Sequence, residues 1–404
     1  MVDWLGLYSQ RVSSVRSSAL RDMLRLTQEA DVICFSGGLP APELFPIDRF
    51  REACDLVLTV NGRQALQYSP TEGYAPLRRL VAQMLQPYGL RAQESNVLIT
   101  TGSQQATDLI GRLLLDSGDR IVVESPTYLG ALQSFDIRQP RYTVVASDED
   151  GMLVDELAPL FRMRPKFVYV LPNYQNPTGF TLSMERRRTL VALAQEWGVP
   201  VLEDDPYSQL RYEGELIPPV IALDAAGGNG GYCGSVVYHS TFSKVLAPGL
   251  RVGWVVAPAE VIQQLVDLKQ GADLHTSTLS QMVAFEVARD GFLDEHVGRL
   301  REIYGHRRDV MLQTMEAHFP EEVTWTRPKG GLFLFVTLPD HVRAKEVLVE
   351  SLRRMVAFVP GEAFFPAGGG ENTFRLNFSN AKPDRIEEGI RRLGAILKAF
   401  CVHN

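Results

Sequence analysis

From about residue 95 onward, short apolar runs alternate with longer segments in which apolar residues recur at helical spacing. The apolar runs contain few polar positions, which is typical of strands buried on both faces of a parallel sheet. The amphipathic segments between them predict helices that cover those two faces. The runs are NVLITTG, RIVVES, KFVYVLP, VPVLEDD and SVVYHS. The pattern therefore predicts an α/β fold built on a mainly parallel sheet, with ligands bound at the carboxyl ends of its strands.

Beyond about residue 290 the pattern changes. A long helical stretch ends near HFP, VTWTRPKGGLFLFVTL predicts a hairpin, and FRLNFS predicts a strand before a final helix. This order is typical of a smaller α+β domain. We therefore expect a large domain over 46–290, a small domain over 291–404 and an N-terminal arm, 1–45, that joins the small domain. The cleft between the two domains is a natural substrate site.

Composition and charge narrow the range of partners. The chain has 404 residues, of which 45% are hydrophobic and 22% charged, and its net charge is -7. These values are ordinary for a globular enzyme and argue against disorder. An acidic balance disfavours nucleic acid or an anionic membrane as the main partner. No apolar run approaches the ~18 residues of a spanning helix, so we expect a small-molecule ligand.

The four cysteines lie far apart, without a CxxC motif or a Cys/His spacing. This arrangement suggests neither a zinc site nor a disulfide framework, and we expect no metal and a cytoplasmic location. The first 26 residues contain Arg and Ser, as a transit peptide does, but they also carry Asp3 and Asp22 and lack an apolar core. We interpret them as a mature amphipathic segment.

Lys244 lies in a short turn between the apolar runs SVVYHS and VGWVVA. A lysine is most often a solvated surface charge, but a turn between two core segments can aim it into a cleft. Desolvation lowers the pKa of an amine, which can then form a Schiff base with an aldehyde. Hydroxyls and a guanidinium bind phosphate oxygens well, so the pattern suits a phosphorylated aldehyde such as pyridoxal phosphate. The polar neighbours in this turn are Ser240, Thr241, Ser243 and Arg251.

A second anion-binding element is predicted where NVLITTG runs into a helix. Gly102, Ser103 and Gln104 stand at this junction, where backbone N–H groups and the helix dipole favour an anion. The alternative is an ordinary capped helix. With Thr241, Ser243 and Arg251, the three residues would complete a phosphate site.

VLEDDPYSQL places acidic residues directly after a buried strand. A carboxylate beside a pyridine nitrogen keeps that nitrogen protonated, and a phenol such as Tyr207 can bind the ring oxygen. Asp204 is one candidate for the carboxylate, with Glu203 and Asp205 as competitors. The alternative is an acidic strand end that caps a turn.

Three further residues have the chemistry of a cofactor and substrate site. Asn176, in the Pro-rich turn after KFVYVLP, can meet a ring oxygen or simply close the turn. Tyr128 offers a flat face for an aromatic ring, or is a core tyrosine. Arg375, within FRLNFS, presents a fork that matches the α-carboxylate of an amino acid, or is an edge-strand arginine in solvent.

Together NPTG, EDDPY, SK followed by GLRVG, and FRLNFS resemble the fold-type I pyridoxal-phosphate aminotransferases of the aspartate-aminotransferase superfamily, over almost the whole chain. Segments such as FSGGLPAPELFP and KQGADLHT are most similar to the 2-aminoadipate aminotransferases of lysine biosynthesis, with the kynurenine/2-aminoadipate enzymes as near relatives. The resemblance implies a large domain with a seven-stranded, mainly parallel sheet, a smaller α+β domain, and a homodimer whose cofactor site is completed by the partner.

The resemblance also implies roles for the residues. Lys244 would bond to pyridoxal phosphate and shuttle the proton, Asp204 would pair with the pyridine nitrogen, and Arg375 with Asn176 would take the substrate α-carboxylate. The remaining cofactor-binding residues would be Gly102, Ser103, Gln104, Tyr128, Asn176, Tyr207, Thr241, Ser243 and Arg251. Thr241 stands where close relatives usually have serine. Tyr68 would reach the phosphate of the neighbouring subunit, Gly38 would lie near the substrate, and Arg21 would meet its distal carboxylate, unless Arg21 merely lies on a solvated helix face.

The expected reaction is transamination between L-glutamate or L-2-aminoadipate and a 2-oxo acid such as 2-oxoadipate, with breadth towards leucine and aromatic amino acids. One alternative keeps the cofactor but changes the reaction to that of a β-lyase-type enzyme, since such differences are poorly visible in sequence. Another is an aminotransferase-like transcription regulator. Fewer than about 50 residues precede the GGLP segment, too few for an added DNA-binding domain, which disfavours the regulator.

Overall fold

A computed structural model describes residues 1–9, 11, 32–224 and 231–401. The strands are β1 (Ile33–Cys34), β2 (Val97–Thr100), β3 (Arg120–Ser125), β4 (Arg141–Asp148), β5 (Gly151–Met152), β6 (Val168–Val170), β7 (Val201–Asp204), β8 (Val236–Thr241), β9 (Gly253–Val256), β10 (Thr324–Trp325), β11 (Phe333–Thr337), β12 (Val356–Ala357), β13 (Val359–Pro360) and β14 (Thr373–Asn377).

The helices lie between and beyond these strands. They are α1 (Trp4–Leu7), α2 (Ile47–Ala65), α3 (Ala75–Met84), α4 (Ser103–Leu114), α5 (Leu129–Asp136), α6 (Leu157–Phe161), α7 (Met184–Trp197), α8 (Val220–Leu223), α9 (Ala259–Gln270), α10 (Thr278–Ala288), α11 (Phe292–His318), α12 (Ala344–Arg353) and α13 (Pro383–Cys401). None of the helices in these ranges combines the length and the apolar character needed to cross a membrane.

The large sheet has the strand order β2-β9-β8-β7-β6-β3-β4-β5. The pairs from β8 to β4 are parallel, whereas β9 is antiparallel to both of its neighbours and β5 is antiparallel to β4. Strands β2, β6, β7, β8 and β9 are buried at every position, which explains why they read as uninterrupted apolar runs. The predicted seven-stranded, mainly parallel sheet is therefore confirmed, with the two-residue β5 as an additional edge strand.

Helices cover the large sheet and are placed by local signals in the sequence. Helix α4 packs against α5 and α9, and α2 packs against α10. Helix α7 begins after Ser183, whose Oγ accepts the backbone N–H of Arg186, and ends at Gly198, which has a φ of 63°. These are the capping devices that the two helix ends require.

A smaller antiparallel sheet has the order β10-β11-β14-β13. The predicted hairpin is present, with Thr324 opposite Thr337, and β14 lies inside this sheet rather than at its edge. Helices α11 and α13 pack against each other beside it. Strand β1, from the N-terminal part of the chain, pairs with β12. The domain boundaries after residues 45 and 290 stay a prediction.

Candidate active site

Lys244 lies in the turn 242–252, which connects two neighbouring antiparallel strands, β8 and β9. Both ends of the turn are therefore held in the core of the large sheet. The side chain is half-buried, and its Nζ donates a hydrogen bond of 2.8 Å to the carbonyl oxygen of Gly38. The predicted inward position of this lysine is present.

The surroundings of Lys244 make its amine easier to deprotonate. Burial, followed by the positive charges of Arg375 and Arg251, lowers its pKa to about 8, while the charge of Asp204 acts in the opposite direction. At a pKa of about 8, roughly a tenth of the amine is neutral at pH 7, far more than for an ordinary lysine. A neutral amine is the nucleophilic form, so the site provides an activated lysine.

Asp204 ends β7 and is buried. Its Oδ2 accepts a hydrogen bond of 2.8 Å from the hydroxyl of Tyr169, whereas its Oδ1 has no hydrogen-bond partner among the described residues. The Nδ1 of His239 lies 3.4 Å from this Oδ1. Burial raises the pKa of Asp204. A buried acceptor without a donor is costly, and the protonated nitrogen of a bound pyridine ring would satisfy it.

The two competing acidic residues have other partners. Glu203 accepts the first backbone N–H groups of α8, at 2.8 and 2.9 Å. Asp205 accepts the side-chain amide of Asn173 at 2.8 Å. Successive residues of a strand face opposite sides of a sheet, which separates Asp204 from both neighbours. Of the three, Asp204 is the carboxylate whose charge raises the pKa of Lys244 and whose Oδ1 has no hydrogen-bond partner among the described residues.

The start of α4 and the end of the lysine turn form an anion-binding corner. Gly102 has φ 76° and ψ 165°, a conformation open essentially to glycine alone. A Cβ at Gly102 would lie 2.6 Å from Nη2 of Arg251, so the guanidinium rests directly on the glycine backbone. Ser103 begins the helix, where backbone N–H groups lack intrahelical acceptors. The corner fits a phosphate group.

Other predicted phosphate ligands already have partners within the chain. The Thr241 hydroxyl donates to the carbonyl of Val252 at 2.9 Å and lies 2.8 Å from Oγ of Ser243. The Gln104 amide nitrogen donates to the carbonyl of Gly130 at 2.7 Å, so this side chain ties α4 to α5. These residues can offer an anion the backbone N–H of Gln104 and the hydroxyl of Ser243, whose proton would turn from Thr241 towards the anion.

Arg375 is the centre of the carboxylate-binding part of the site. Its Nη1 donates to Oδ1 of Asn176 at 2.7 Å, and its Nη2 donates to the carbonyl of Ser36 at 2.6 Å. The guanidinium lies 4.2 Å from the ring centroid of Phe333 and 5.1 Å from that of Phe364. Burial lowers its pKa to about 10, and its Nε has no partner among the described residues. It is thus a rigidly held cation with an unused donor.

Two tyrosines line the same space. Tyr207 is buried close to the side chain of Asn176, and it packs edge-on against Phe333 at 5.8 Å between ring centroids. Tyr128 follows β3 and is half-buried, and burial, followed by the charge of Asp204, raises its pKa to about 12. A Cβ added at Gly130 would lie only 2.5 Å from the Tyr128 ring and hydroxyl. Burial also raises the pKa of Tyr207, so both phenols stay neutral donors.

Some predicted site residues are not brought together in this chain. Tyr68 is 78% exposed and contacts His275 edge-on, at 5.9 Å between ring centroids. Its predicted role concerns a neighbouring subunit and stays a prediction. Arg21 lies outside the described residues.

The sequence pattern missed several contributors to the site. Tyr169 and His239 lie inside apolar strands, and no local sequence motif marks them as site residues. Their position beside Asp204 follows only from the pairing of β6 and β8 with β7. The contacts of Ser36 and Phe333 with Arg375 join segments that are far apart in the chain, and Phe364 contacts Arg375 from the neighbouring loop.

Comparison with known proteins agrees with this geometry. Residues 32–393 match the family model "Aminotransferase class I and II". The chain is 44% identical to a 2-aminoadipate transaminase of Thermus thermophilus over 99% of this chain and 98% of that protein. It is 41% identical to aromatic-amino-acid aminotransferase 1 of Thermococcus litoralis, over 98% and 95% of the two chains.

A solved structure is similar throughout. It is the α-aminoadipate aminotransferase LysN of Thermus thermophilus in complex with N-(5'-phosphopyridoxyl)-L-leucine, with a TM-score of 0.92, 42% identity and 99% of each chain covered. The predicted family and fold are confirmed. The chain belongs to the class I and II aminotransferases, enzymes of fold type I that use pyridoxal phosphate as their cofactor.

Proposed function

We propose that this aminotransferase moves an amino group between L-2-aminoadipate or L-glutamate and a 2-oxo acid such as 2-oxoadipate, and that it also accepts leucine and aromatic amino acids. The observation that carries the proposal is the cluster formed by the Lys244 amine, the partnerless Oδ1 of Asp204 and the free Nε of Arg375, all among the described residues. It supplies a base, a counter-ion for a ring and a site for an α-carboxylate.

Pyridoxal phosphate, when bound, supplies a cationic ring that stabilises negative charge developing at the substrate Cα. Asp204 would hold the proton on the ring nitrogen, because a buried carboxylate with a free oxygen favours a charged partner. Lys244, with its pKa near 8, would bond to the cofactor aldehyde. Once the substrate amine has released it, the Lys244 amine would take a proton from the substrate Cα and pass it to the aldehyde carbon of the cofactor.

The phosphate would lie in the corner between Gly102 and Arg251, with the backbone N–H groups of Ser103 and Gln104 and the hydroxyl of Ser243 as further donors. Short charge-assisted bonds of this kind are among the strongest in proteins. We keep Thr241 as a residue that shapes the turn, since its hydroxyl proton already serves Val252.

Orientation of ring and substrate falls to the aromatic and amide groups. Tyr207 and Asn176 would hold the ring oxygen, and Tyr128 would stack on the ring. Arg375 would bind the substrate α-carboxylate, sharing Asn176 with the cofactor, while Gly38 leaves room beside Phe333 because its missing Cβ would lie 3.1 Å from that ring.

The proposed breadth of substrate rests on the relatives, one a 2-aminoadipate and the other an aromatic-amino-acid enzyme. Arg21 would bind the distal carboxylate of 2-aminoadipate and, when withdrawn, admit apolar side chains. This activity would place the enzyme in lysine biosynthesis, in the cytoplasm.

We further propose a homodimer with the domain limits 1–45, 46–290 and 291–404. Helix α2 and the segment after it expose Leu56, Val60, Leu66 and Tyr68. A row of exposed large apolar side chains is typical of a protein–protein interface. Tyr68 would then reach the phosphate of the partner subunit.

The test is a product analysis of the purified holoenzyme. With L-2-aminoadipate, L-glutamate or L-leucine as donor, and 2-oxoglutarate or 2-oxoadipate as acceptor in pairs that exclude the donor's own 2-oxo acid, we expect stoichiometric exchange of the amino group without free ammonia. Each donor should be converted to its own 2-oxo acid. A β-lyase-type reaction needs a donor with a leaving group on Cβ, such as L-cysteine. Ammonia and pyruvate formed from that donor without any acceptor, with no exchange in the pairs above, would instead establish such a reaction.

Substrate specificity needs its own measurement. Arg21→Ala should lower kcat/KM for 2-oxoadipate and 2-oxoglutarate while leaving 2-oxoisocaproate and phenylpyruvate unchanged, with Arg16→Ala as the matched control. An equal loss for all four acceptors would remove Arg21 from the substrate site.

A further inference from the structure

Glu124, the fifth residue of β3, is a buried carboxyl group outside the site described above. Its Oε1 accepts the hydroxyl of Ser147 on β4 at 3.1 Å, and its Oε2 lies 3.4 Å from the backbone nitrogen of Leu171. The side chain of Gln175 also lies close enough to favour the ionised form of Glu124. An acid residue without a basic partner is expensive to bury, and the transamination roles do not use it.

The partners of Glu124 lead directly to the substrate site. Leu171 and Gln175 both belong to the 171–183 loop, which runs from the end of β6 to α7. The Gln175 side chain also donates to the carbonyl of Pro126 at 2.8 Å and accepts the hydroxyl of Thr178 at 2.7 Å. The next residue is Asn176. Glu124 thus contacts the loop at Leu171 and beside Gln175, the residue that precedes Asn176. Asn176 in turn accepts a hydrogen bond from Arg375.

Burial raises the pKa of Glu124 to about 7, with its interactions with Gln175, Leu171 and Ser147 acting in the opposite direction. All three partners can donate, so they suit the ionised carboxylate. Protonation of the carboxylate removes part of its capacity to accept hydrogen bonds and therefore weakens its interactions with these three partners.

The titratable groups of neighbouring elements are engaged elsewhere. Tyr169 of β6 donates to Asp204, Asp148 of β4 pairs with Arg186, and Glu203 of β7 accepts from α8. Arg187 of α7 donates to the carbonyl oxygens of Leu182, Pro218 and Pro172.

We propose that Glu124 is a positioning residue: its carboxylate anchors the 171–183 loop through Gln175 and Leu171 so that Asn176 meets Arg375, and its protonation loosens that anchor. The inference rests on the proposed roles of Asn176 and Arg375 in binding the substrate α-carboxylate. Substrate affinity then depends on a proton held outside the reacting groups.

The experiment compares native holoenzyme with Glu124→Gln, which keeps the shape of the side chain but cannot ionise. KM and kcat are measured for a 2-oxo acid acceptor between about pH 6 and pH 8.5, where the acceptor itself does not titrate. Glu203→Gln is the matched control, because Glu203 is equally buried but binds α8. Carbon-13 NMR of protein labelled at the glutamate carboxyl groups follows ionisation independently of activity.

We expect the native KM to rise by about three- to tenfold as the pH falls through 7, the size of one lost hydrogen bond. Glu124→Gln should show the high KM at every pH with nearly native kcat, and should lack one carboxyl resonance that titrates near pH 7. Glu203→Gln should keep the native KM profile.

Three results would overturn the inference: a native pH profile in Glu124→Gln, the same KM change in Glu203→Gln, or no titrating resonance lost with Glu124. A parallel Arg375→Lys variant distinguishes failure of the proposed carboxylate site from failure of the proposed role of Glu124. If its KM is native, the proposed carboxylate site is wrong and this inference falls with it. If only Arg375→Lys raises KM, the site stands and the role of Glu124 is wrong.

Discussion

Arg251 can rest on Gly102 only because glycine has no Cβ. Gly102→Ala would place a carbon 2.6 Å from the guanidinium and force a backbone conformation that costs ~1–3 kcal/mol. We expect the dissociation constant of pyridoxal phosphate to rise at least about tenfold, measured by reconstituting apo protein and following cofactor absorbance.

The control for backbone strain alone is Gly89→Ala. Gly89 also has a positive φ, 88°, but a Cβ there meets nothing within 4 Å. Both variants should lower Tm, whereas only Gly102→Ala should weaken cofactor binding. Equal binding by the two variants would show that the corner does not hold the phosphate.

The charge of Arg375 helps to keep the pKa of Lys244 low. Arg375→Gln should raise that pKa, because removing a neighbouring cation makes the ammonium form less unfavourable. The amine reacts when neutral, so its reaction rises with pH through the pKa. In apo protein, reductive methylation of Lys244 should be half-maximal near pH 8, and in the variant at a higher pH. Peptide mass spectrometry measures it.

Arg327→Gln serves as control, since Arg327 is exposed and pairs with Glu316. An unchanged midpoint in Arg375→Gln would mean that Arg375 does not contribute to the low pKa of Lys244.

The role of a single residue could be predicted where a local sequence motif marks it. It could not be predicted where it depends on how the strands pair. Lys244 and Arg375 stand out in the sequence because polar groups interrupt apolar runs. The choice among Glu203, Asp204 and Asp205 depends on which face of β7 meets the site, and that face is set by the neighbouring strands. Tyr169 and His239 depend on the same register.

Helices α9 and α4 are joined by a second buried lysine, which has no role in the proposed reaction. Lys269 has no exposed surface, and its Nζ lies 2.5 Å from Oδ1 of Asp273 and 3.0 Å from Oε1 of Gln105. Asp273 also accepts the hydroxyl of Thr101 at 2.7 Å. The segment after α9 is thereby tied to the turn that starts α4.

Lys269→Met should lower the free energy of unfolding by about 2–3 kcal/mol, because it leaves Asp273 without its cation in a partly buried place. Denaturant unfolding measures the change. The double variant Lys269→Met with Asp273→Asn should recover part of the loss. If the double variant is less stable than the single one, the pair is not the source of the effect.

At this scale the buried strands and their helices follow from the sequence, since burial on both faces leaves a continuous apolar signature. Strand β4 is only partly buried and β5 has two residues, so neither gave such a signal. The reversed direction of β9 also has no local mark, because its apolar run resembles those of the parallel strands.

For the whole molecule, the exposed apolar side chains of α2 bear on assembly. Val60 is 66% exposed, and in the proposed homodimer its replacement by glutamate would bury a charge without a partner. Val60→Glu should therefore sediment as a monomer at concentrations where the native protein is a dimer, and should bind the cofactor less tightly through loss of the partner's Tyr68. Analytical ultracentrifugation decides this.

Val349→Glu is the matched control, since Val349 is 57% exposed on α12, beside the smaller sheet. It should sediment as the native protein does. Dissociation by Val349→Glu, or an intact dimer in Val60→Glu, would place the interface elsewhere.

The turn 242–252 has a mechanical consequence. Because β8 and β9 are adjacent and antiparallel, Lys244 and Arg251 share one rigid frame that is fixed to the sheet at both ends. Inserting one residue into this turn would leave both strands paired, yet it would shift the amine relative to the guanidinium. The distance between the two cationic groups is thus set by the length of a single loop.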